Sequence, residues 1–176
     1  MRIAVIGYSG KIDQSPVREL RDLCLALGKQ IARQGHSLWS GGRDGVMALT
    51  SMGAASENGE VFGVLPYDEQ EEIVQPCPYV KYPIYTGLDF QMRSCVLLKN
   101  ADLVISIGGA CGTAIEICGA YGYGKPLVLM KNTGGVTERI AGWFDRSAPP
   151  FYLDYRKSAP VYIETNVEEL TKYYAR

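Results

Sequence analysis

The sequence predicts an α/β protein that forms a single doubly wound, Rossmann-like domain over residues 1–176, with a mainly parallel sheet flanked by helices. Short apolar runs alternate with segments of helical periodicity, which is typical of parallel βαβ units with right-handed crossovers. The apolar runs are nearly continuous, as expected for strands covered on both faces. A chain of 176 residues also suits one domain, and no repeat, low-complexity tract or linker divides it.

Seven apolar runs are predicted as strands. The strongest is the β-branched run at residues 103–107, because it ends directly in a glycine turn. The predicted strands cover residues 2–7, 37–40, 60–65, 80–85, 103–107, 126–130 and 161–164.

Helices are predicted between these strands. The first is expected to begin at Pro16, a favourable residue early in a helix, and to end at Gly35. The others are predicted over 45–55, 88–99, 113–123 and 167–174, with a short one after Gly135. The segment 66–79 carries three prolines and a run of acids, which indicates either a functional lid or a solvated acidic loop.

Composition excludes several classes of partner. A net charge of −1 without a Lys/Arg cluster argues against DNA or RNA. The apolar runs are far shorter than the roughly 20 residues of a membrane span, and the first residues resemble a strand rather than a signal peptide. We therefore expect a cytoplasmic protein with no membrane partner. Five cysteines without a C-x-x-C pair and one histidine predict no metal site, and no cofactor is expected.

Three glycine turns, at 7–10, 41–45 and 108–112, follow predicted strands and should gather at one edge of the sheet. The third runs from a strand into a helix start, where unpaired N–H groups and the helix dipole favour an anion. The alternative is a set of tight turns that only pack helix on strand. The residues predicted to bind phosphate or nucleotide are Gly7, Ser9, Gly41, Gly42, Gly108, Gly109, Ala110, Cys111, Gly112 and Thr113.

Single residues near these turns have two interpretations each. Glu116 follows the third turn and is either a site carboxylate or a first-turn acid that suits the helix dipole. Arg93 is either a ligand-binding cation or a surface charge paired with Asp89. Asp44 fits a simple helix cap, and Cys111 has no basic partner in the sequence that would activate its thiol. The usual G-x-G-x-x-G fingerprint and a Walker A lysine are absent.

Taken together, the motifs resemble the LOG-type branch of the Rossmann-like SLOG proteins, a group once labelled lysine decarboxylases. Residues 40–47 read Ser-Gly-Gly-Arg-Asp-Gly-Val-Met, similar to the G-G-G-x-x-G-L-M turn of that group. Residues 90–94 read Phe-Gln-Met-Arg-Ser and match M-x-x-R-K at the arginine. Residues 108–116 match the glycine, threonine and glutamate frame of P-G-G-x-G-T-x-x-E. The resemblance spans roughly residues 2–130, and the chain is similar to a small prokaryotic subfamily and, more distantly, to molybdenum-cofactor carrier proteins.

This resemblance implies a phosphoribohydrolase that cleaves the N-glycosidic bond of a nucleoside 5′-monophosphate, with Arg93 and Glu116 as the catalytic pair and the glycine turn on the phosphate. It also implies a homo-oligomer, a dimer or tetramer, for which the helix 88–99 is the expected interface. The chain departs from the pattern at Phe90, Ser94, Gly108 and Ala110. Those departures leave open a non-catalytic carrier or sensor of a nucleotide or molybdenum cofactor. Lysine decarboxylation is not expected, because the motif frame holds no lysine for a Schiff base.

Overall fold

The computed structural model describes residues 1–67, 74–144 and 148–174. The described chain contains seven strands: β1 (Arg2–Gly7), β2 (Ser37–Ser40), β3 (Val61–Leu65), β4 (Tyr82–Tyr85), β5 (Leu103–Ile107), β6 (Leu127–Met130) and β7 (Val161–Glu164). It contains five α-helices: α1 (Arg21–Arg33), α2 (Gly45–Ser56), α3 (Phe90–Asn100), α4 (Cys111–Gly122) and α5 (Gly135–Ala141). The strands pair in the order β4-β3-β2-β1-β5-β6-β7, and every pair is parallel.

The strand order reverses at β1, which has β2 on one side and β5 on the other. Successive strands from β1 to β4 are added in one direction, and those from β5 to β7 in the other. Gly7 at the end of β1 pairs with Ile107 at the end of β5. Ligands in open α/β sheets bind beyond the carboxyl ends of the strands at such a switch point, so the fold itself predicts a crevice above β1 and β5.

Two apolar cores cover the two faces of the sheet. Alternate residues of β5 show the division, because Ile105 packs with α1 and α2 on one face and Val104 packs with α3, α4 and α5 on the other. All five residues of β5 are buried, as the continuous apolar run predicts. The helices α1 and α2 lie so close that a β-carbon at Gly28 would come within 2.0 Å of the Thr50 carbonyl oxygen.

The predicted α/β class and parallel sheet are confirmed, with shifts at the ends of several elements. A 3-10 turn (Arg18–Leu20) precedes α1, which begins at Arg21 rather than at Pro16. The strand predicted from residue 80 begins at Tyr82, because the Val80 N–H donates to the Cys77 carbonyl in a turn. The last predicted helix is a 3-10 helix (Glu168–Tyr173). Residues 68–73, the middle of the predicted 66–79 loop, lie outside the described residues.

Candidate functional site

A cavity of about 410 Å³ opens at the switch point, between the ends of β1, β2 and β5 and the first turns of α3 and α4. It is lined by Gly7, Tyr8, Ser9, Gly41, Arg43, Asp44, Met47, Phe90, Gln91, Arg93, Ser94, Ala110, Gly112, Thr113 and Glu116. All three predicted glycine turns contribute to this list. The expectation that they gather at one edge of the sheet therefore agrees with the structure.

The first half of the third turn packs the fold rather than lining the cavity. The Gly108 N–H donates to the Thr133 hydroxyl at 2.9 Å, and the Gly108 carbonyl accepts from the Thr137 hydroxyl at 2.6 Å. The Gly109 carbonyl accepts from the Val136 N–H at 2.9 Å. Of these three groups only the Gly108 N–H is a donor that could bind a phosphate, and it is already bonded to Thr133 in the β6–α5 connection, while the two carbonyls fix the turn to α5.

Glycine is required at both positions by close contacts. Gly108 and Gly109 have φ values of +61° and +89°, a region that disfavours residues with a β-carbon. A β-carbon at Gly108 would come within 2.1 Å of the Tyr8 ring, and one at Gly109 within 2.2 Å of the Thr113 hydroxyl oxygen. These two glycines allow Tyr8 and α4 to approach the end of β5.

The second half of the third turn forms the N-terminus of α4 and lines the cavity. Ala110 is the N-cap of this 12-residue helix, and its side chain makes no capping hydrogen bond. The N–H groups of the first turn have no partner within a helix. Of that turn, Gly112 and Thr113 line the cavity and Cys111 does not. The Thr113 hydroxyl donates to the Gly7 carbonyl at 3.2 Å, so this hydroxyl ties α4 to the end of β1.

The second glycine turn brings a cation and a carboxylate to the cavity. Arg43 and Asp44 follow β2, and Asp44 is the N-cap of α2 but makes no side-chain capping bond. The first-turn N–H groups of α2 donate instead to the turn after β1, from Gly45 to Gly10 and from Val46 to Tyr8. The Asp44 carboxylate therefore takes no part in capping.

Gly41 and Gly42 have different roles in this turn. Gly41 lines the cavity under the Arg93 guanidinium, since a β-carbon there would lie 2.6 Å from Arg93 Nη1. Gly42 is packed instead, with its carbonyl accepting from the Cys77 N–H at 2.7 Å and its Cα facing Gly63.

Arg93 projects from α3 into the cavity and is 93% buried, with an exposed fraction of 7%. Its Nε has no hydrogen-bond partner among the described residues. No carboxylate oxygen of the described chain lies within 4.0 Å of a nitrogen of Arg93, so the guanidinium forms no ion pair there. Burial lowers the pKa of Arg93, and the neighbouring Glu116 opposes that shift. A buried donor without a partner reduces the stability of the folded protein. A ligand that offers an acceptor to Arg93 would remove this free-energy cost.

Glu116 projects from α4 into the same cavity and is held by α3. The Ser94 hydroxyl donates to Glu116 Oε1 at 2.8 Å. Burial raises the pKa of Glu116, while the Ser94 hydrogen bond and the positive charge of Arg93 act in the opposite direction. A carboxylate with a raised pKa in a cleft is a candidate for proton transfer.

The mouth of the cavity carries a cation–π contact. The Arg43 guanidinium carbon lies 4.9 Å from the centre of the Phe90 ring, which connects the second glycine turn to the start of α3. Among the described residues, the cavity is therefore lined by two cations, Arg43 and Arg93, and by two carboxylates, Asp44 and Glu116.

The structure separates the predicted site residues into two groups. Those that line the cavity are Gly7, Ser9, Gly41, Arg93, Ala110, Gly112, Thr113 and Glu116; those that do not are Gly42, Gly108, Gly109 and Cys111. Tyr8, Arg43, Asp44, Met47, Phe90, Gln91 and Ser94 also line it, although they were not predicted as site residues. All seven lie inside the glycine and arginine motifs. Their position within these motifs is the sequence feature that could have identified them as lining residues.

A second cavity of about 660 Å³ lies beside β7. Its Glu164 carboxylate pairs with Lys172 at 2.9 Å and accepts a hydrogen bond from Tyr173. These groups satisfy one another, in contrast to the Arg93 Nε, which has no partner in the part of the chain that the structure describes. No group of three or more potential metal ligands occurs in the described residues. No helix of the described chain is long and apolar enough to cross a membrane.

The parallel sheet and the cavity at its switch point define a Rossmann-like protein with a cleft at the carboxyl ends of its strands. The chain belongs to the SLOG cluster4 family, whose model matches residues 1–170. The crystal structure of TM1055, a structural genomics target, is 46% identical with a TM-score of 0.89, over 99% of this chain and 98% of that one. The predicted resemblance to SLOG proteins is thereby confirmed.

Two further solved structures are similar over the whole chain. One is the molybdenum cofactor binding protein of Rippkaea orientalis, which is 26% identical with a TM-score of 0.75, over 99% of this chain and 97% of that one. The other is the molybdenum cofactor carrier protein of Chlamydomonas reinhardtii, which is 27% identical with a TM-score of 0.75, over 99% and 98%. The expected likeness to molybdenum-cofactor carriers is also confirmed.

Proposed function

We propose that the switch-point cavity binds a nucleoside 5′-monophosphate and that the protein hydrolyses its N-glycosidic bond. The observation that carries the proposal is the buried Arg93, which lies in one cavity with Glu116 and the N-terminus of α4 and whose Nε has no hydrogen-bond partner among the described residues. The first-turn N–H groups and the dipole of α4 suit a phosphate. Arg93 then supplies a charge-assisted hydrogen bond to the ligand.

Glu116 performs the proton transfer in the proposed reaction. A water oxygen bonds to C1′ of the ribose as the bond from C1′ to the base nitrogen breaks, and the electron pair of that bond leaves with the base. The ionised Glu116 carboxylate takes the proton of the attacking water and stabilises the positive charge that develops on the sugar. The proton taken by Glu116 passes to the nitrogen of the departing base, so the carboxylate is ionised again and the products are the neutral free base and ribose 5-phosphate.

A second candidate is a non-catalytic carrier or sensor of a nucleotide or molybdenum cofactor. The whole-chain similarity to two molybdenum-cofactor proteins favours it, as does the Ser94 hydrogen bond that occupies one oxygen of Glu116. In this case, the same anion site binds the phosphate of the cargo, and Glu116 orients a ligand hydroxyl.

One experiment separates the two candidates. The purified protein is incubated with a panel of nucleoside 5′-monophosphates, free base is followed by chromatography, and binding is measured by calorimetry. Base release that disappears in Glu116→Gln while binding persists supports the hydrolase. Tight binding without base release supports the carrier.

Arg93→Ala is expected to weaken binding at least tenfold, since a charged hydrogen bond contributes about 1.5–3 kcal/mol. Arg139 is exposed, and Arg139→Ala is the control that should leave binding unchanged. Absence of binding to every phosphorylated ligand would overturn both.

We also propose that the protein self-associates through α3. This helix and the turn before it expose three large apolar side chains: Leu88 at 37%, Phe90 at 36% and Met92 at 53%. Phe90 also lines the cavity, so an interface on α3 would lie beside the proposed site.

A further inference from the structure

Arg93 and Glu116 carry opposite charges in one largely buried cavity, and yet they do not form an ion pair. Each charge is close enough to shift the pKa of the other, but no nitrogen of Arg93 lies within 4.0 Å of a Glu116 oxygen, both residues belonging to the described chain. At reduced dielectric, opposite charges attract far more strongly than in water. Their separation therefore requires a structural cause.

The cause lies in the positions of two consecutive residues of α3. Consecutive helical residues point about 100° apart, and Arg93 and Ser94 accordingly reach different neighbours. Arg93 packs over the backbone of Gly41, at the end of β2. Ser94 reaches α4 and donates to Glu116 Oε1 at 2.8 Å. Ser94 is itself 95% buried, with an exposed fraction of 5%, so its hydroxyl has a fixed environment.

We propose that Ser94 is a positioning residue that holds Glu116 on the α4 side of the cavity and thereby keeps the Arg93 guanidinium free for the anionic group of the ligand. In this arrangement the Arg93 Nε has no hydrogen-bond partner among the described residues. Without the Ser94 hydroxyl, the Glu116 side chain turns toward Arg93 and occupies the anion position itself. The inference rests on the proposed function, because it assigns Arg93 to a ligand anion.

The first test is a double-mutant cycle measured by calorimetry with AMP and, separately, with ribose 5-phosphate. Ser94→Ala is expected to weaken binding about tenfold, the scale of one charge-assisted hydrogen bond. Ser94→Thr retains the hydroxyl and is expected to restore binding. In the Glu116→Gln background, Ser94→Ala is expected to have no effect, because no carboxylate competes for Arg93. An equal loss in both backgrounds would assign Ser94 a merely structural role and overturn the proposal.

The second test needs no ligand. The titration of Glu116 is followed by carbon NMR in the wild type and in Ser94→Ala. Among the described residues, Arg93, Arg43 and Asp44 are the other charged groups that line the cavity and face this carboxylate. If Glu116 pairs with Arg93 in the variant, its pKa falls. If Glu116 stays in place and only loses a hydrogen bond, its pKa rises, and the positioning role is wrong. Failure of the wild type to bind either ligand would defeat the proposed function, whereas this titration decides the role of Ser94 separately.

Discussion

Gly112 lies in the first turn of α4, and the point that a β-carbon would occupy faces open space, with no described atom within 4 Å apart from its chain neighbours and the nearby backbone of its own helix. Its neighbours in the same motif differ, because Gly108 and Gly109 are fixed by contacts with Tyr8 and Thr113. A substitution at Gly108 or Gly109 disturbs the fold and the site together. Gly112 is therefore the position at which phosphate binding can be tested without disturbing the packing.

We expect Gly112→Ala to leave the protein at least as stable as the wild type and to weaken AMP binding tenfold or more. Alanine is a better helix former than glycine by up to about 1 kcal/mol, while its methyl group would occupy space that the phosphate needs. Gly122→Ala, in open space at the other end of α4, is the matched control. Urea unfolding and calorimetry measure the two effects. Unchanged binding in Gly112→Ala would place the phosphate elsewhere.

The elements differ in how far the sequence could predict them. The strand β5 was predicted to the residue, since its apolar run is continuous and ends in glycine. The start of α1 was not, because Leu20 at its N-cap makes no side-chain capping bond, so no local polar signal marks the boundary. The last helix was expected to be regular, but its hydrogen bonds run three residues apart, as between the Leu170 N–H and the Val167 carbonyl.

The lining of the candidate cavity could be predicted in outline from the sequence, but the hydrogen bonds inside its turns could not. The glycine turns and the residues Arg93 and Glu116 follow from local motifs, and all three turns line one cavity. Gly108 forms hydrogen bonds with Thr133 and Thr137, which are 25 and 29 residues further along the chain. Such a pairing depends on the way α5 packs against β5, which no local pattern records.

At the scale of elements, α3 lines the cavity with some of its side chains and exposes apolar side chains to the surface with others. We expect Met92→Glu to shift the protein toward a smaller species, because a charge in an apolar interface is costly to bury. Trp143→Glu, at a side chain that is 70% exposed and follows α5, is the control for an exposed apolar residue outside the proposed interface. Size-exclusion chromatography with light scattering gives the masses. A monomeric wild type, or a Met92→Glu variant of wild-type mass, would contradict the proposal.

At the scale of the whole molecule, the switch point concentrates charge where the sheet is most buried. Both strands that flank the crevice are almost fully covered, and the cavity between their ends holds Arg43, Arg93, Asp44 and Glu116. Charged groups in such a place reduce the stability of the folded protein unless they are paired. The site is therefore expected to lower the free energy of unfolding in return for a pre-formed anion position.

Glu116 provides the test of this cost through the pH dependence of stability. Its pKa is raised in the folded protein, chiefly by burial, so the folded state retains a proton that the unfolded chain loses first. The resulting stabilisation is complete below the ordinary glutamate pKa and is lost as pH rises through the folded pKa. We expect Glu116→Gln to be more stable than the wild type at pH 8 and equal to it at about pH 4, in urea unfolding at both pH values. The exposed Glu60→Gln is the control. A Glu116→Gln variant that is less stable at pH 8 would show that Ser94 and Arg93 more than offset the burial of the carboxylate.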